Sequence, residues 1–238
     1  MAETHHDKVI VLQKSDSADH DVRVVFYSLR QGKMILNARG AKKITSKLSA
    51  HLEPYNLTEL MIISGKRGAT IGSAVSRRVF VGLKSDWDKL SAGGRVLSWF
   101  GKFIKAGEPD RALFFGLLDF LTIINTIKAP AIYYQWLADV WLFKLLAHLG
   151  YQPSLTICNR CRRPFGQTAV YFSVSAGGLA CAYCSGPDRL VIKPETRVQL
   201  ALILKTRLVD VVKIVKVRPG IARDLRILLD FWLSAALD

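Results

Sequence analysis

Ile157-Cys158-Asn159-Arg160-Cys161 and Ala180-Cys181-Ala182-Tyr183-Cys184 hold all four cysteines of the chain. Each is a Cys-x-x-Cys pair. The second begins about 20 residues after the first, the separation at which two knuckles give two thiolates each to one ion. A tight turn inside each pair lets both sulfurs reach that ion. Arg163-Pro164 and Ala176-Gly177-Gly178 lie between the pairs and predict an insert that runs out and back as a short hairpin. The pattern predicts one tetrahedral zinc site. Two redox pairs or two disulfides are the other readings of these residues; disulfides suit an exported protein, and nothing in the chain points to export. Four sulfurs fill the coordination shell of zinc, so the ion is expected to be structural, one per chain, rather than catalytic.

The 238 residues suffice for one large domain or two small ones, and half of them are hydrophobic, which excludes a disordered chain. Lys and Arg number 34 against 19 Asp and Glu, a formal net charge of +15. A zinc on four thiolates would return about −2 of this. Such an excess favours polyanions, nucleic acid first and an anionic membrane second; a solvated basic surface without a partner is the plain alternative. Met1 to Asp7 is polar and carries an acid, unlike a signal peptide. The most apolar run, Ile132 to Leu149, is interrupted by Asp139, Lys144 and His148 and predicts a buried amphipathic helix rather than a membrane span. The expected location is cytoplasmic.

Residues 8–80 have the strand pattern. Lys8–Gln13, Val22–Leu29, Lys33–Arg39, Asn56–Ile63 and Thr70–Phe80 alternate or run apolar, with Gln31-Gly32 and Gly65-Lys66-Arg67-Gly68 as turns. Five short antiparallel strands in this length suggest a small closed barrel, of which the OB-fold is the natural candidate. From Arg23 to Arg78 there are eleven bases and two acids. Many of the bases fall in turns and at strand ends, where an OB barrel lines its groove. Arg39, Lys42, Lys43 and Lys47 crowd one loop, Lys66 and Arg67 one turn; these six are the candidate DNA-binding residues. Tyr27, Tyr55 and Phe80 are either core or stacking platforms for bases.

After residue 82 the period becomes helical. Ser85-Asp86 and Glu108-Pro109-Asp110 predict helix starts, with acids where the helix dipole favours them. Trp87, Leu90, Val96, Leu97, Phe100 and Ile104 mark one helix, broken or bent near Gly93-Gly94; Leu113 to Ile124 mark the next. Ala131–Leu149 is a third, ending at Gly150, with Tyr133, Trp136, Trp141 and Phe143 as core. The zinc module follows at about 155–186, with Arg160, Arg162 and Arg163 around its first knuckle and no acid between Leu155 and Cys184. These arginines either extend a nucleic-acid surface or are solvated beside an anionic zinc centre. Pro194 opens another helix, with Val198, Leu202 and Leu208 on its apolar side. Val209–Val217 fits helix or strand, and Arg223–Leu237 closes the chain as a helix. The fold class is therefore α+β: an N-terminal OB-fold barrel over residues 1–82, then an all-α domain over 83–238 carrying a four-cysteine zinc-finger insert.

No phosphate-binding Gly-x-x-x-x-Gly-Lys-Ser/Thr, dinucleotide fingerprint or Gly-x-Ser-x-Gly elbow occurs. The five histidines are scattered. Asp86-Trp87-Asp88 and Glu108-Pro109-Asp110 have a sufficient structural reason at helix starts. The chain is not expected to be an enzyme.

A basic barrel, a helical body and a four-cysteine insert just after a Leu-Gly-Tyr helix end resemble the bacterial recombination mediator family RecO. The matching pieces are Gly40-Ala41-Lys42-Lys43 with Ser46-Lys47-Leu48, Leu52-Glu53-Pro54-Tyr55, Leu145 to Pro153, Phe172-Ser173 and Gly177-Gly178-Leu179. The likeness spans residues 8–236, and the order and spacing of the pieces are its specific part. It implies binding of single- and double-stranded DNA and annealing of complementary strands. It also implies action with RecR, in many bacteria also RecF, and contact with the acidic C-terminal tail of single-stranded-DNA-binding protein (SSB). The RecA recombinase is then helped onto single strands coated by SSB, with no membrane involved and the protein nucleoid-associated. The resemblance puts Arg39, Lys42, Lys43 and Lys47 on the DNA face and matches the four cysteines to the zinc-bearing form of the family. Family members often have Arg where Lys42 stands, which weakens a bidentate phosphate contact there. They also often continue past the last helix, whereas this sequence stops at Asp238. The competing reading is a zinc-containing OB-fold module of transcription or RNA metabolism.

Overall fold

The computed structural model describes residues 3–17, 20–66, 68–151, 154–166, 168–173, 175–187 and 189–235. Its first element decides the barrel. β1 (Glu3–Asp16) is long enough to serve two partners. Its first half pairs with β4 (Leu57–Gly65), from Glu3↔Ser64 to Ile10↔Leu57, and its second half with β2 (Val22–Ser28), from Val9↔Ser28 to Asp16↔Val22. The register shifts between Val11 and Gln13, an irregularity of the kind that bends a strand. β3 (Gly32–Ala38) and β5 (Gly68–Arg78) complete a closed barrel of order β1-β2-β3-β5-β4. The β3–β5 seam is parallel, through Asn37↔Thr70. Closure removes the free sheet edges, and this order with one parallel seam is that of an OB-fold.

Alternation along β2 builds the interior: Val22, Val24 and Phe26 are buried while Arg23 is exposed. They meet Val9, Val11, Leu36, Leu60, Ile62 and Ile71 in one apolar core. Tyr27 faces the other way and is still wholly buried, because helices cover that side. These are α3 (Trp87–Phe103) and α4 (Arg111–Thr126); α2 (Val81–Lys84) precedes them and packs on both, and α1 (Leu48–His51) lies between β3 and β4. The Tyr27 ring packs edge-on against Phe100 and stacks on Phe114, and its hydroxyl accepts from the Asp110 N–H at 2.9 Å. Gly32 sits in the β2–β3 turn at φ +71, and an added Cβ there would lie 2.4 Å from the Glu108 backbone. Only glycine permits that turn and that approach together.

Asp86 and Asp110 cap α3 and α4, each carboxylate accepting two backbone N–H groups of the first turn. Both acids thus have the structural role expected of them. α3 differs from expectation in two ways. It runs unbroken through Gly93-Gly94, where the glycines admit the Tyr55 ring: a Cβ on Gly93 would lie 3.1 Å from that ring. Trp87, placed by periodicity on the apolar side, is 79% exposed at the first turn.

The chain divides into two compact units, Met1–Lys128 and Ala129–Asp238, so α2, α3 and α4 belong with the barrel. The second unit is built on α5 (Ala131–His148), buried all round from Tyr134 through Leu146 except at Gln135 and Lys144. A helix apolar on every face is a core helix. Among the described residues no helix is long and apolar enough to cross a membrane. α6 (Pro194–Lys205), α7 (Leu208–Ile214) and α8 (Pro219–Ala235) follow a three-stranded sheet of order β7-β6-β8. Its strands are β6 (Val170–Ser173), β7 (Gly178–Ala180) and β8 (Arg189–Ile192). The β6–β7 hairpin is the out-and-back insert; β8 is not evident in the sequence, because its four residues become a strand only by pairing with distant β6. The ambiguous Val209–Val217 segment is helical over Leu208–Ile214. On α6, Thr196, Leu200 and Ile203 face inward, while Val198 and Leu202 are exposed. Both sets satisfy the helical period, and only packing chooses between them.

Two polar groups on α5 also hold this unit. Asp139, almost fully buried, takes the Arg226 Nε of α8 at 2.9 Å on both carboxylate oxygens. Lys144 reaches the C-terminus of α6 and donates to the carbonyls of Ile203 and Thr206, each at 2.8 Å. There the cation meets the negative end of the helix dipole.

Candidate metal centre and nucleic-acid interface

The four cysteines come together. Their sulfurs lie within 4.8 Å of one another, a geometry able to hold a metal ion. Among the described residues no other group of three or more His, Cys, Asp or Glu side chains converges in this way. The first knuckle is a turn closed by Arg162 N–H to Cys158 C=O and Cys158 N–H to Arg163 C=O, both at 2.9 Å. Arg162 adopts φ 63, an uncommon conformation for a residue with a side chain. The second knuckle is closed by Cys184 N–H to Cys181 C=O at 3.0 Å. Asn159 ties the first knuckle to the hairpin: its backbone N–H reaches Leu179 C=O at 2.8 Å and its side-chain amide reaches Ala176 C=O at 2.7 Å. The hairpin is anchored in turn, since Phe172 of β6 packs edge-on against Phe231 and Trp232 of α8. The four-cysteine module is therefore continuous with the helical core.

The sulfurs differ in proton affinity. Burial raises the Cys158 thiol, but N–H groups of Cys161, Cys181 and Arg160 aimed at the sulfur outweigh this and bring it down to about 6. Cys184 is pushed up to about 12, chiefly by its hydrogen bond to Cys181, then by burial and by the Cys161 and Cys158 sulfurs. A dication among the four sulfurs would favour their thiolate forms.

The barrel carries the other candidate site. Arg39, Lys42, Lys43 and Lys47 are exposed on the segment that leaves β3. Two successive turns shape it, with Lys43 N–H to Gly40 C=O at 3.1 Å and Ser46 N–H to Lys43 C=O at 2.8 Å. Gly40 N–H to the Asp21 carboxylate and Lys42 N–H to His20 C=O fasten it to the β1–β2 turn. Lys42 has an acidic partner that sequence proximity does not suggest: its Nζ lies 3.0 Å from Asp16. Among the described residues Arg39, Lys43 and Lys47 form no ion pair. Lys66 is exposed in the β4–β5 turn; in the parallel Asn37↔Thr70 register it precedes the bridge on its strand, whereas Arg39 follows it, so the two lie in opposite directions along the seam. Arg67 lies outside the described residues. The three aromatics are not platforms on this face: Tyr27 and Phe80 are core, and half-buried Tyr55 donates its O–H to Leu90 C=O. Arg77 is committed to Glu59 at 2.7 Å, and that hydrogen-bonded contact first, then the charge of Arg77, holds the Glu59 carboxyl below its usual range.

Two family models cover nearly the whole of this architecture. The model of the recombination protein O N-terminal domain matches residues 1–77, and that of its C-terminal domain residues 84–238. The chain belongs to the RecO family. The DNA repair protein RecO of Desulforamulus reducens is 30% identical over 184 residues, which cover 77% of this chain and 70% of that one. That of Alkaliphilus metalliredigens is 26% identical over 232 residues, 96% of this chain and 92% of the other. That of a Nocardioides species is 28% identical over 204 residues, 84% and 82%. The chain is thus a DNA repair protein of the RecO family, as its motif order implied, and nothing supports the transcription or RNA module better. Sequence reading missed the pairs Asp139–Arg226 and Lys42–Asp16. A charge inside an apolar helix was the available signal for Asp139; Lys42 and Asp16 meet only when the barrel closes.

Proposed function

We propose that this RecO-family chain mediates recombination by holding single- and double-stranded DNA on its barrel and annealing complementary strands. One observation carries the reading: a turn-shaped loop at the edge of a closed OB barrel exposes Arg39, Lys43 and Lys47, which form no ion pair among the described residues, beside Lys42. Arg67, next to Lys66, is part of the proposed surface. Phosphate contacts carry no base information, so binding is expected with little sequence preference. In this reading residues 1–82 are the nucleic-acid-binding domain and 83–238 the helical domain with its metal module. That functional division differs from the packing division after Lys128. Cys158, Cys161, Cys181 and Cys184 hold one zinc, which braces the insert and takes no part in chemistry.

The partners implied by the family are RecR, with RecF in many bacteria, the acidic tail of SSB, and RecA indirectly. Such a mediator needs no catalytic residue and works in the cytoplasm at the nucleoid. The test is annealing of complementary strands by the purified chain without ATP, with bare strands and with strands coated by SSB. Annealing in both settings supports the reading. Binding that prefers RNA in competition, or turnover of a nucleic-acid substrate, would contradict it.

A further inference from the structure

The metal knuckles present an aromatic that nothing in the core requires. Tyr183, between Cys181 and Cys184, is 96% exposed, more than any other aromatic of the described residues. The other knuckle carries three exposed arginines, Arg160, Arg162 and Arg163, with no ion pair to a described residue. No acid occurs from Leu155 to Cys184. The Cys161 and Cys184 sulfurs belong to one cluster within 4.8 Å, so the arginines flanking Cys161 and the ring preceding Cys184 share one rim. That rim is stiff: Arg162 is fixed at φ 63, and Asn159 pins its knuckle to the hairpin turn. An exposed ring forfeits the gain of burial, and a small residue would close the Cys-x-x-Cys turn equally well.

We propose that the knuckle rim is a second single-stranded DNA surface, in which Tyr183 stacks on an unpaired base while Arg160, Arg162 and Arg163 hold the flanking phosphates. Every base has a face on which a ring can stack, so the contact is tolerant of sequence, and it reaches only bases that are not already stacked in a duplex. The arginines supply the counterion-releasing part of the affinity and the ring the salt-insensitive part. This inference rests on the reading of the chain as a DNA-binding protein, but not on the barrel loop. It gives each compact unit a strand-binding surface of its own.

The experiment uses the full chain with its metal and an oligothymidylate carrying 5-iodouracil. Photo-crosslinking should map to Tyr183. In salt titrations, Tyr183→Ala should weaken binding roughly tenfold with the salt slope unchanged, and Tyr183→Phe should stay within about twofold of the parent. Changing Arg160, Arg162 and Arg163 together to Gln should flatten the slope by about 0.7 for each phosphate no longer neutralised. Metal content and melting temperature, measured beside each variant, should match the parent. Parent-like binding by Tyr183→Ala, with crosslinks elsewhere, would overturn the proposal and leave the barrel reading intact. Equal losses in the Phe and Ala variants would overturn stacking. Failure of the parent itself to bind would overturn the DNA reading along with it.

Discussion

The basic loop of the barrel and the cysteine knuckles both expose a cluster of bases, yet they are held in opposite ways. The loop leaves a closed, fully paired sheet over a continuous apolar core. It is shaped by backbone hydrogen bonds, and among the described residues its charged side chains form no ion pair beyond Lys42 to Asp16. The knuckles stand on three short strands, anchored by Phe172 against α8 and by Arg197 of α6 against Gly166 and Phe165, with four sulfurs at their centre. A small sheet of this size buries too little to be stable alone and needs a cross-link or a metal. The difference teaches that the charges of the loop can change with little effect on the fold, whereas the cysteines of the knuckle cannot.

The largest effect that sharpens this contrast is removal of the metal. Structural zinc contributes binding energy of about 10–16 kcal/mol in small peptides at neutral pH, and that energy is folding energy. Cys158→Ser, or a strong chelator, should lower solubility and melting temperature and leave the barrel's circular-dichroism signal standing. Elemental analysis of protein purified without chelator should find one zinc per chain; less than about half an equivalent would remove the site. Because protons compete for thiolates, acidification should release the metal, detectable with a zinc dye.

Next is the buried pair. Arg226→Leu leaves Asp139 charged inside the helical core and should cost about 3 kcal/mol in chemical denaturation. A loss confined to a few tenths would show that other partners of Asp139 carry the site. Smaller again is Lys144→Met, which strips the end of α6 of its cation and should cost about 2 kcal/mol. Burial holds Lys144 below the ordinary lysine value. The unfolded chain therefore binds that proton more tightly than the folded one. Deprotonation as pH rises toward 10.5 favours folding, so the parent should gain on the variant in alkaline denaturation series.

Much of this is legible in the sequence, for physical reasons that differ by region. Strands such as Val22–Ser28 declare themselves by alternation, and Asp86 and Asp110 by their place before helical runs. Two Cys-x-x-Cys pairs constrain one another across a gap, which is why the convergence of the four cysteines is visible without any structure. What sequence does not show depends on distant pairing. β8 exists only against β6, and α6 has two faces of equal period, so Val198 and Leu202 read as inward and lie outward. Gly93-Gly94, a break by propensity, is instead the seat of Tyr55. The stacking candidate Tyr27 fails likewise, since its burial comes from Phe100 and Phe114 of the helices that cover it, and Phe80 is buried as well.

The smallest expected effect on stability belongs to the loop, and it accompanies the effect on binding that matters most. Changing Lys42, Lys43 and Lys47 together to Glu should shift stability by no more than about 0.5 kcal/mol, as for exposed charges generally. The decisive measurement is a salt titration of single-strand binding by this variant, run beside a thermal melt. The account predicts weaker binding at low salt, a slope flatter by about 0.7 for each phosphate the loop no longer engages, and an unmoved melting temperature. Binding equal to the parent at every salt concentration would contradict it, and would leave the arginines of the metal knuckle as the DNA face.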